Sequence, residues 1–249
     1  MLTIRRISHF SRSTLFTLLA CLLTMPFGIF VALAMIFPMR VRYAIIAVWR
    51  TGFMMLCRYV LGIRYRVIGR ENIPTEPAVI LAKHQSAWET VALQEIFPPL
   101  VFVLKKTLLS LPFFGWGLAA MKMISIDREA GKEALKQVVD QGSERLAAGY
   151  WVVIFPEGTR VLPGDKRRYK PGGAHLAVQT GRKVVPVAHD AGEVWGKNAF
   201  VKTPGLITVS IGPLINPLGK TDAEVNALAE AWIEAEMRRI SPHRYVDAC

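Results

Sequence analysis

At 249 residues the chain suits one sizeable domain plus an attachment segment, and two full domains are excluded by size. A hydrophobic share of 52% and a mean hydropathy of +0.30 exceed what a soluble enzyme carries, so part of the apolar surface is expected in lipid. Of the net charge of +12, most sits in residues 1–70, which hold ten arginines and no acidic residue. These arginines are interleaved with Leu, Ile, Phe, Trp and Met, which suits an anionic lipid headgroup layer and argues against nucleic acid, whose backbone calls for a solvated basic face.

The apolar run 14–37 is free of charge for 24 positions, roughly 36 Å as a helix and long enough to cross a ~30 Å hydrocarbon layer. Pro26 and Gly28 sit near its middle and arginines flank both ends, so a hairpin or half-buried helix with both ends cytoplasmic is an equal reading. Residues 43–63 carry Arg50 and Arg58 on one broad face and read as an interfacial helix in the membrane surface. A cleaved signal peptide is disfavoured, because hydrophobicity resumes after the Ala32–Ala34 triplet. The boundary is drawn at 63, with attachment helices over 1–63 and a catalytic domain over 64–249. Cys21 and Cys57 lie in apolar stretches and Cys249 is the last residue, which gives no disulfide framework and points to a reducing, cytoplasmic setting.

Short apolar runs bounded by turn residues then recur at 65–68, 78–82, 100–104, 121–126, 151–155, 184–189 and 206–211, and read as strands. Helical patterns lie between them, clearest over 130–148, and a last amphipathic helix is expected over 222–239. The alternation predicts an α/β fold: a mixed, largely parallel sheet flanked by helices, with an N-terminal membrane-associated helical segment. Such sheets bind ligands at the carboxyl ends of their strands.

Two motifs fall at such ends. In KHQSAWET (83–90), His84 follows a buried-looking strand, and it can meet Glu89 only if His84 lies in the turn before a helix and Glu89 in the helix's first turns. The carboxylate would then fix the imidazole tautomer and leave the other nitrogen to take a proton from an alcohol. In FPEGTR (155–160), Pro156 and Gly158 force an irregular turn that exposes Glu157, Thr159 and Arg160 at the same sheet edge. Arg160 can bind phosphate bidentately, with Thr159 and the turn amides as further donors. Glu157 needs another role, orienting Arg160 or accepting a substrate hydroxyl. The basic run Lys166–Lys170 is either part of the phosphate site or a solvated surface. Lys105-Lys106 either adds charge to the site or caps a strand, and Asp127-Arg128 reads as a local ion pair. Val184–Val187 reads as a core strand with a proline-marked edge whose backbone can line an acyl channel.

In this order the motifs resemble the 1-acyl-glycerol-3-phosphate acyltransferase family, which carries a His-x4-Asp motif, a basic, glycine-containing block, a Glu-Gly-Thr-Arg motif and a late Val-Pro strand. The matching positions are His84 with Glu89, Lys105–Gly117, Phe155–Arg160 and Val184–Val187, over roughly residues 60–215. Glu89 departs from the family's aspartate, and its longer arm should still reach the imidazole. The resemblance implies that His84 is the general base on the hydroxyl of lysophosphatidic acid, with Glu89 behind it. It implies that Glu157, Gly158, Thr159 and Arg160 hold the glycerol phosphate, and that Lys105 or turn amides steady the oxyanion. It also implies acyl-CoA or acyl-carrier protein as co-substrate, no metal or other cofactor, no nucleic acid, and a place on the cytoplasmic face of the inner membrane. A lyso-ornithine lipid or another lysophospholipid is the alternative acceptor. His9, His189 and His243 lie outside the motifs, no zinc-ligand spacing appears, and a serine-hydrolase elbow is absent from the sequence.

Overall fold

The computed structural model describes residues 2–127 and 130–245, so Arg128 of the expected ion pair and Cys249 lie outside the described residues. The chain opens with a 32-residue helix, α1 (Leu2–Leu33), which passes through Pro26 without ending. A 3-10 turn (Ala34–Ile36) and Pro38 then reverse the chain into α2 (Met39–Leu56), which runs on as a π-helical turn (Cys57–Leu61). The two helices form an antiparallel hairpin: Trp49 Nε1 donates to Thr24 Oγ1 at 3.1 Å, and Arg12 Nε donates to the Val60 carbonyl at 2.6 Å. The reversal expected near Pro26 thus falls twelve residues later. Phe16 and Val31, one on either side of Pro26, are both fully packed, and this burial offsets the helix bond the proline removes.

Two arginines of α2 are used differently from the expected headgroup contacts. Arg42, buried, donates to the Ala120 carbonyl, and Arg50 donates to Gln94 O at 2.7 Å, so one face of α2 is pinned to the rest of the protein. What faces outward is apolar. Leu15, Leu18, Leu22, Met25, Ile29, Leu33 and Ile36 are all exposed at three- and four-residue spacing, which lays them along one side of α1. Both hairpin arms are long and apolar enough to cross a membrane.

Seven strands follow: β1 (Ile63–Ile68), β2 (Val79–Ala82), β3 (Leu100–Lys105), β4 (Ile124–Ile126), β5 (Trp151–Ile154), β6 (Val184–His189) and β7 (Gly205–Ile211). They form one sheet in the order β1-β7-β6-β2-β5-β3-β4. The run from β6 to β4 is parallel, and β7 joins β6 antiparallel and pairs β1 in parallel. β2 and β5 are buried along their whole length, as expected for strands covered on both faces.

Between the strands run α3 (Trp88–Ile96), α4 (Phe114–Ala120), α5 (Lys132–Ala147), α6 (Gly172–Thr180) and finally α7 (Asp222–Ile240). α7 starts with a capping box in which Thr221 and Glu224 satisfy each other's backbone donors. α5, α6 and α7 lie side by side, against β5 and β4, β2, and β6 respectively, while α1 packs on α4 and α2 on α3. The expected strand from Met121 is shorter, because Met121 closes α4 and Lys122 adopts φ +50° before β4 can begin. β6 is not an edge strand despite Pro186: it lies between β7 and β2, and the missing proline N–H falls where the β7 pairing has not yet begun, at Val187.

Candidate active site

β2, β5 and β3 are parallel neighbours, so the loops after them emerge side by side. His84 sits two residues past β2, and Glu89 occupies the first turn of α3, where the helix dipole favours a negative charge. Their side chains meet with His84 Nδ1 2.8 Å from Glu89 Oε1. The same oxygen accepts from the amides of Gln85 at 3.0 Å and Ser86 at 2.8 Å, so the loop closes around it. Burial pushes the Glu89 carboxyl upward, but the His189 and His84 imidazoles and the Ser86 amide outweigh it and leave its pKa below the usual carboxylate range. An ionised carboxylate only accepts, so Nδ1 carries the proton of the neutral ring and Nε2 is left with its lone pair. The ring stacks on Phe155, with centroids 3.9 Å apart and planes 14° from parallel, which restricts its rotation.

The second motif forms the turn after β5. Gly158 takes φ +68°, a left-handed conformation in which a side chain would be strained, and its amide donates to Phe155 O at 3.0 Å. The two motif loops are joined directly, since the Val161 amide donates to the His84 carbonyl at 2.8 Å. Arg160 and His84 both line one cavity of about 260 Å³. Among the described residues no hydrogen bond or ion pair engages the Arg160 guanidinium, which leaves its donors for a ligand. Beyond these two groups the wall turns apolar, with Phe102, Leu104, Phe113, Leu118 and Met121 joined by Phe27, Val31, Ile46 and Trp49 of the hairpin. An elongated apolar chain with a polar, anionic end matches this lining.

A model of the Acyltransferase family matches residues 64–190, a span that opens in β1, ends one residue past β6 and contains both motif loops. The 1-acyl-sn-glycerol-3-phosphate acyltransferase of Pseudomonas aeruginosa is 50% identical over 214 residues, covering 84% of this chain and 83% of that protein. This chain belongs to the 1-acyl-sn-glycerol-3-phosphate acyltransferase family. The human alpha member is 30% identical over 176 residues, which is 70% of this chain and 62% of its own length. The crystal structure of the 1-acyl-sn-glycerophosphate (LPA) acyltransferase from Thermotoga maritima shares the fold at a TM-score of 0.80 and 21% identity, covering 95% of this chain and 98% of that one.

The remaining residues expected at the acyltransferase site are placed as follows. Thr159 and Gly158 stay on the turn beside Arg160, half-buried, and Lys105 ends β3 at the same edge, also half-buried; none of the three lines the cavity. Glu157 departs most from expectation. It is fully buried, turned away from the cavity, with Oε1 3.4 Å from Lys83 Nζ. Contact with a glycerol phosphate is therefore not what its placement supports. Burial raises its carboxyl to about 7 against the opposing pull of Lys83 and the Glu157 and His84 amides. In the basic loop, Lys166 pairs with Glu230 at 3.2 Å, Arg167 and Arg168 are exposed, and Lys170 covers Gly158. β6 sends no side chain to the cavity wall.

Three contributions are absent from the sequence-based expectation. His189, at the end of β6, donates from Nε2 to the Lys83 carbonyl at 2.7 Å and accepts the Ala191 amide on Nδ1 at 3.3 Å, a fixed neutral tautomer whose pKa is lowered by burial. Phe155 stands in the sequence as a strand end and as the first residue of the second motif, but its stacking on His84 is not legible there. Lys83 was legible in principle: a lysine directly following four buried apolar residues needs a buried partner.

Proposed function

We propose that this protein transfers an acyl group from acyl-CoA or acyl-carrier protein to the free hydroxyl of 1-acyl-glycerol-3-phosphate, giving phosphatidic acid. The observation that carries the reading is that the His84–Glu89 pair and the unengaged Arg160 guanidinium share one cavity whose far wall is apolar. In this reading Arg160 holds the phosphate and an acyl chain fills the apolar part. Nε2 of His84 accepts the hydroxyl proton as the oxygen attacks the thioester carbonyl, and Glu89 stabilises the imidazolium so formed. Collapse of the tetrahedral intermediate breaks the C–S bond, and the leaving thiolate takes the proton back from Nε2. Backbone amides of the two motif loops would steady the oxyanion, a role the sequence also offered to Lys105, which ends β3 outside the cavity wall. No covalent enzyme intermediate is required, and no step calls for a metal.

The acceptor and the product are both lipids that partition into a bilayer, and the exposed apolar side of α1 offers a matching attachment. We place the protein at the cytoplasmic face of the inner membrane, with the hairpin in the lipid and the sheet outside it.

The test is a panel of acceptors given to purified protein with either thioester donor. Turnover of lysophosphatidic acid that disappears in His84→Ala, with folding and membrane binding retained, is the expected result. Turnover restricted to a lyso-ornithine lipid or another lysophospholipid would replace the acceptor, and undiminished turnover in His84→Ala would remove the base.

A further inference from the structure

Behind the cavity, on the side away from substrate, a second set of ionisable groups is packed almost without water. Lys83 Nζ lies 2.7 Å from Glu234 Oε1 and 3.4 Å from Glu157 Oε1. Tyr169 donates its hydroxyl to the same Glu234 oxygen at 3.0 Å. Lys83, Glu157, Glu234 and Tyr169 are all buried. They come from three segments: Lys83 follows β2 and precedes His84, Glu157 and Tyr169 both lie in the connection from β5 to α6 that also carries Arg160, and Glu234 comes from α7. That helix aims a stripe at the site, since Asn226, Glu230 and Glu234 recur every fourth residue. They contact, in turn, the Tyr169 carbonyl at 3.3 Å, Lys166, and the Lys83–Tyr169 pair.

We propose that Glu234 is a positioning residue for acyl transfer, which holds the Lys83 ammonium between the two loops that carry His84 and Arg160. The proposal rests on the acyl-transfer reading above, but α7 lies wholly beyond residues 64–190, the span the family model matches.

The charges explain why this carboxylate matters. One ammonium can offset one of two carboxylates, and the better-placed partner, by distance and by the added tyrosine hydrogen bond, is Glu234. Glu157 is left as the surplus acid, with neither oxygen accepting a well-formed hydrogen bond among the described residues. Its surroundings are Lys83, Glu234, Tyr169 and Tyr245, and its raised pKa of about 7 follows from burial first and the Glu234 charge last. Lys83 is consequently drawn toward α7 and stays at the longer distance from Glu157. Without the Glu234 charge the ammonium belongs to Glu157 alone. The contact closes, and the turn bearing Arg160 moves relative to the backbone of His84.

Glu234→Met takes away the oxygen that accepts from both Lys83 and the buried Tyr169 hydroxyl and is expected to misfold, so two other variants decide the matter. Glu234→Gln keeps an oxygen that accepts from Lys83 and Tyr169 while removing the charge. A lowered kcat, by about 10- to 100-fold, with the acceptor KM changed less than about twofold, is expected from a small misplacement of the base. Its thermal stability should also lack the decline expected of the wild type between about pH 5 and 8, because Glu157 then has the ammonium to itself. The double variant Lys83→Met with Glu234→Met removes the ion pair and leaves Glu157 buried as the neutral acid, so at about pH 5, where that acid is protonated, it should melt above Glu234→Met and recover stability while kcat stays low. A Glu234→Gln enzyme with wild-type kcat, or a double variant in which activity returns together with stability, would overturn the proposal. All rates are measured with whichever acceptor the wild type turns over, so an error in the acceptor sinks the functional reading and leaves this comparison intact.

Discussion

Replacing Glu89 by glutamine removes one charge and almost no volume from the centre of the site. The amide oxygen can still accept from Nδ1 of His84 at the present 2.8 Å and from the Gln85 and Ser86 amides, so the ground-state geometry is retained. What disappears is the attraction that appears only when His84 becomes an imidazolium. With charge centres about 4 Å apart and an effective dielectric constant of about 20, that attraction is about 4 kcal/mol, or roughly a thousandfold in rate. Glu89 is almost fully buried, so solvent does little to reduce this figure. The assay is product formation at saturating donor and acceptor and neutral pH, comparing Glu89→Gln with wild type. A fall in kcat of about 10²- to 10⁴-fold with little change in either KM is expected, because the charge is needed only in the transition state. A variant within about fivefold of the wild-type kcat would show that Glu89 does no more than orient the ring.

Arg160→Gln should raise the KM for a phosphate-bearing acceptor by about 10- to 100-fold, the loss of charge-assisted hydrogen bonds, with a smaller effect on kcat. Unchanged acceptor KM would move the phosphate site elsewhere. Gly117 borders the cavity, and a Cβ there would meet only Val31, at 3.5 Å, so Gly117→Leu should fill the apolar end and shift the preference toward shorter acyl chains in a donor competition assay. Glu157 makes stability fall with pH. Its folded pKa of about 7 lies above the ordinary carboxyl value, so the native state holds the extra proton between about pH 4.5 and 7 and loses that advantage as the pH rises through this window. The difference is about 3 kcal/mol, and Glu157→Gln should flatten it in thermal melts in detergent at pH 5 and pH 8.

The strands were legible because fully buried runs such as Val79–Ala82 and Trp151–Ile154 are dense in branched apolar residues and have a proline or glycine close by, Pro77 before the first and Gly149 and Pro156 around the second. The His84–Glu89 contact was legible for a geometric reason: a five-residue spacing closes only across a strand–turn–helix, which is what the chain forms. Less could be read from the charges. An arginine in an apolar ribbon looks alike whether its head meets a phosphate or a carbonyl, and Arg42 and Arg50 chose Ala120 and Gln94, partners far away in sequence. Glu157 was misplaced for the same reason, since its direction is set by Lys83 and by a helix that starts 65 residues later. The hairpin turn was expected at the proline that looks like a breaker. The chain turns instead at Pro38, and α1 continues past Gly28, where a Cβ would come within 2.6 Å of the Phe113 carbonyl, a closeness only the folded contact with α4 reveals.

The first helix has two sides with separate tasks. Leu18, Leu22 and Met25 look outward, while Phe27, Gly28 and Val31 form part of the wall of the cavity that His84 also lines. An enzyme trimmed at residue 63 to make it easier to handle would therefore forfeit more than its tether. It would unroof the largely apolar cavity onto which His84 and Arg160 open, and a lack of turnover in such a fragment would say nothing about the chemistry of the intact protein.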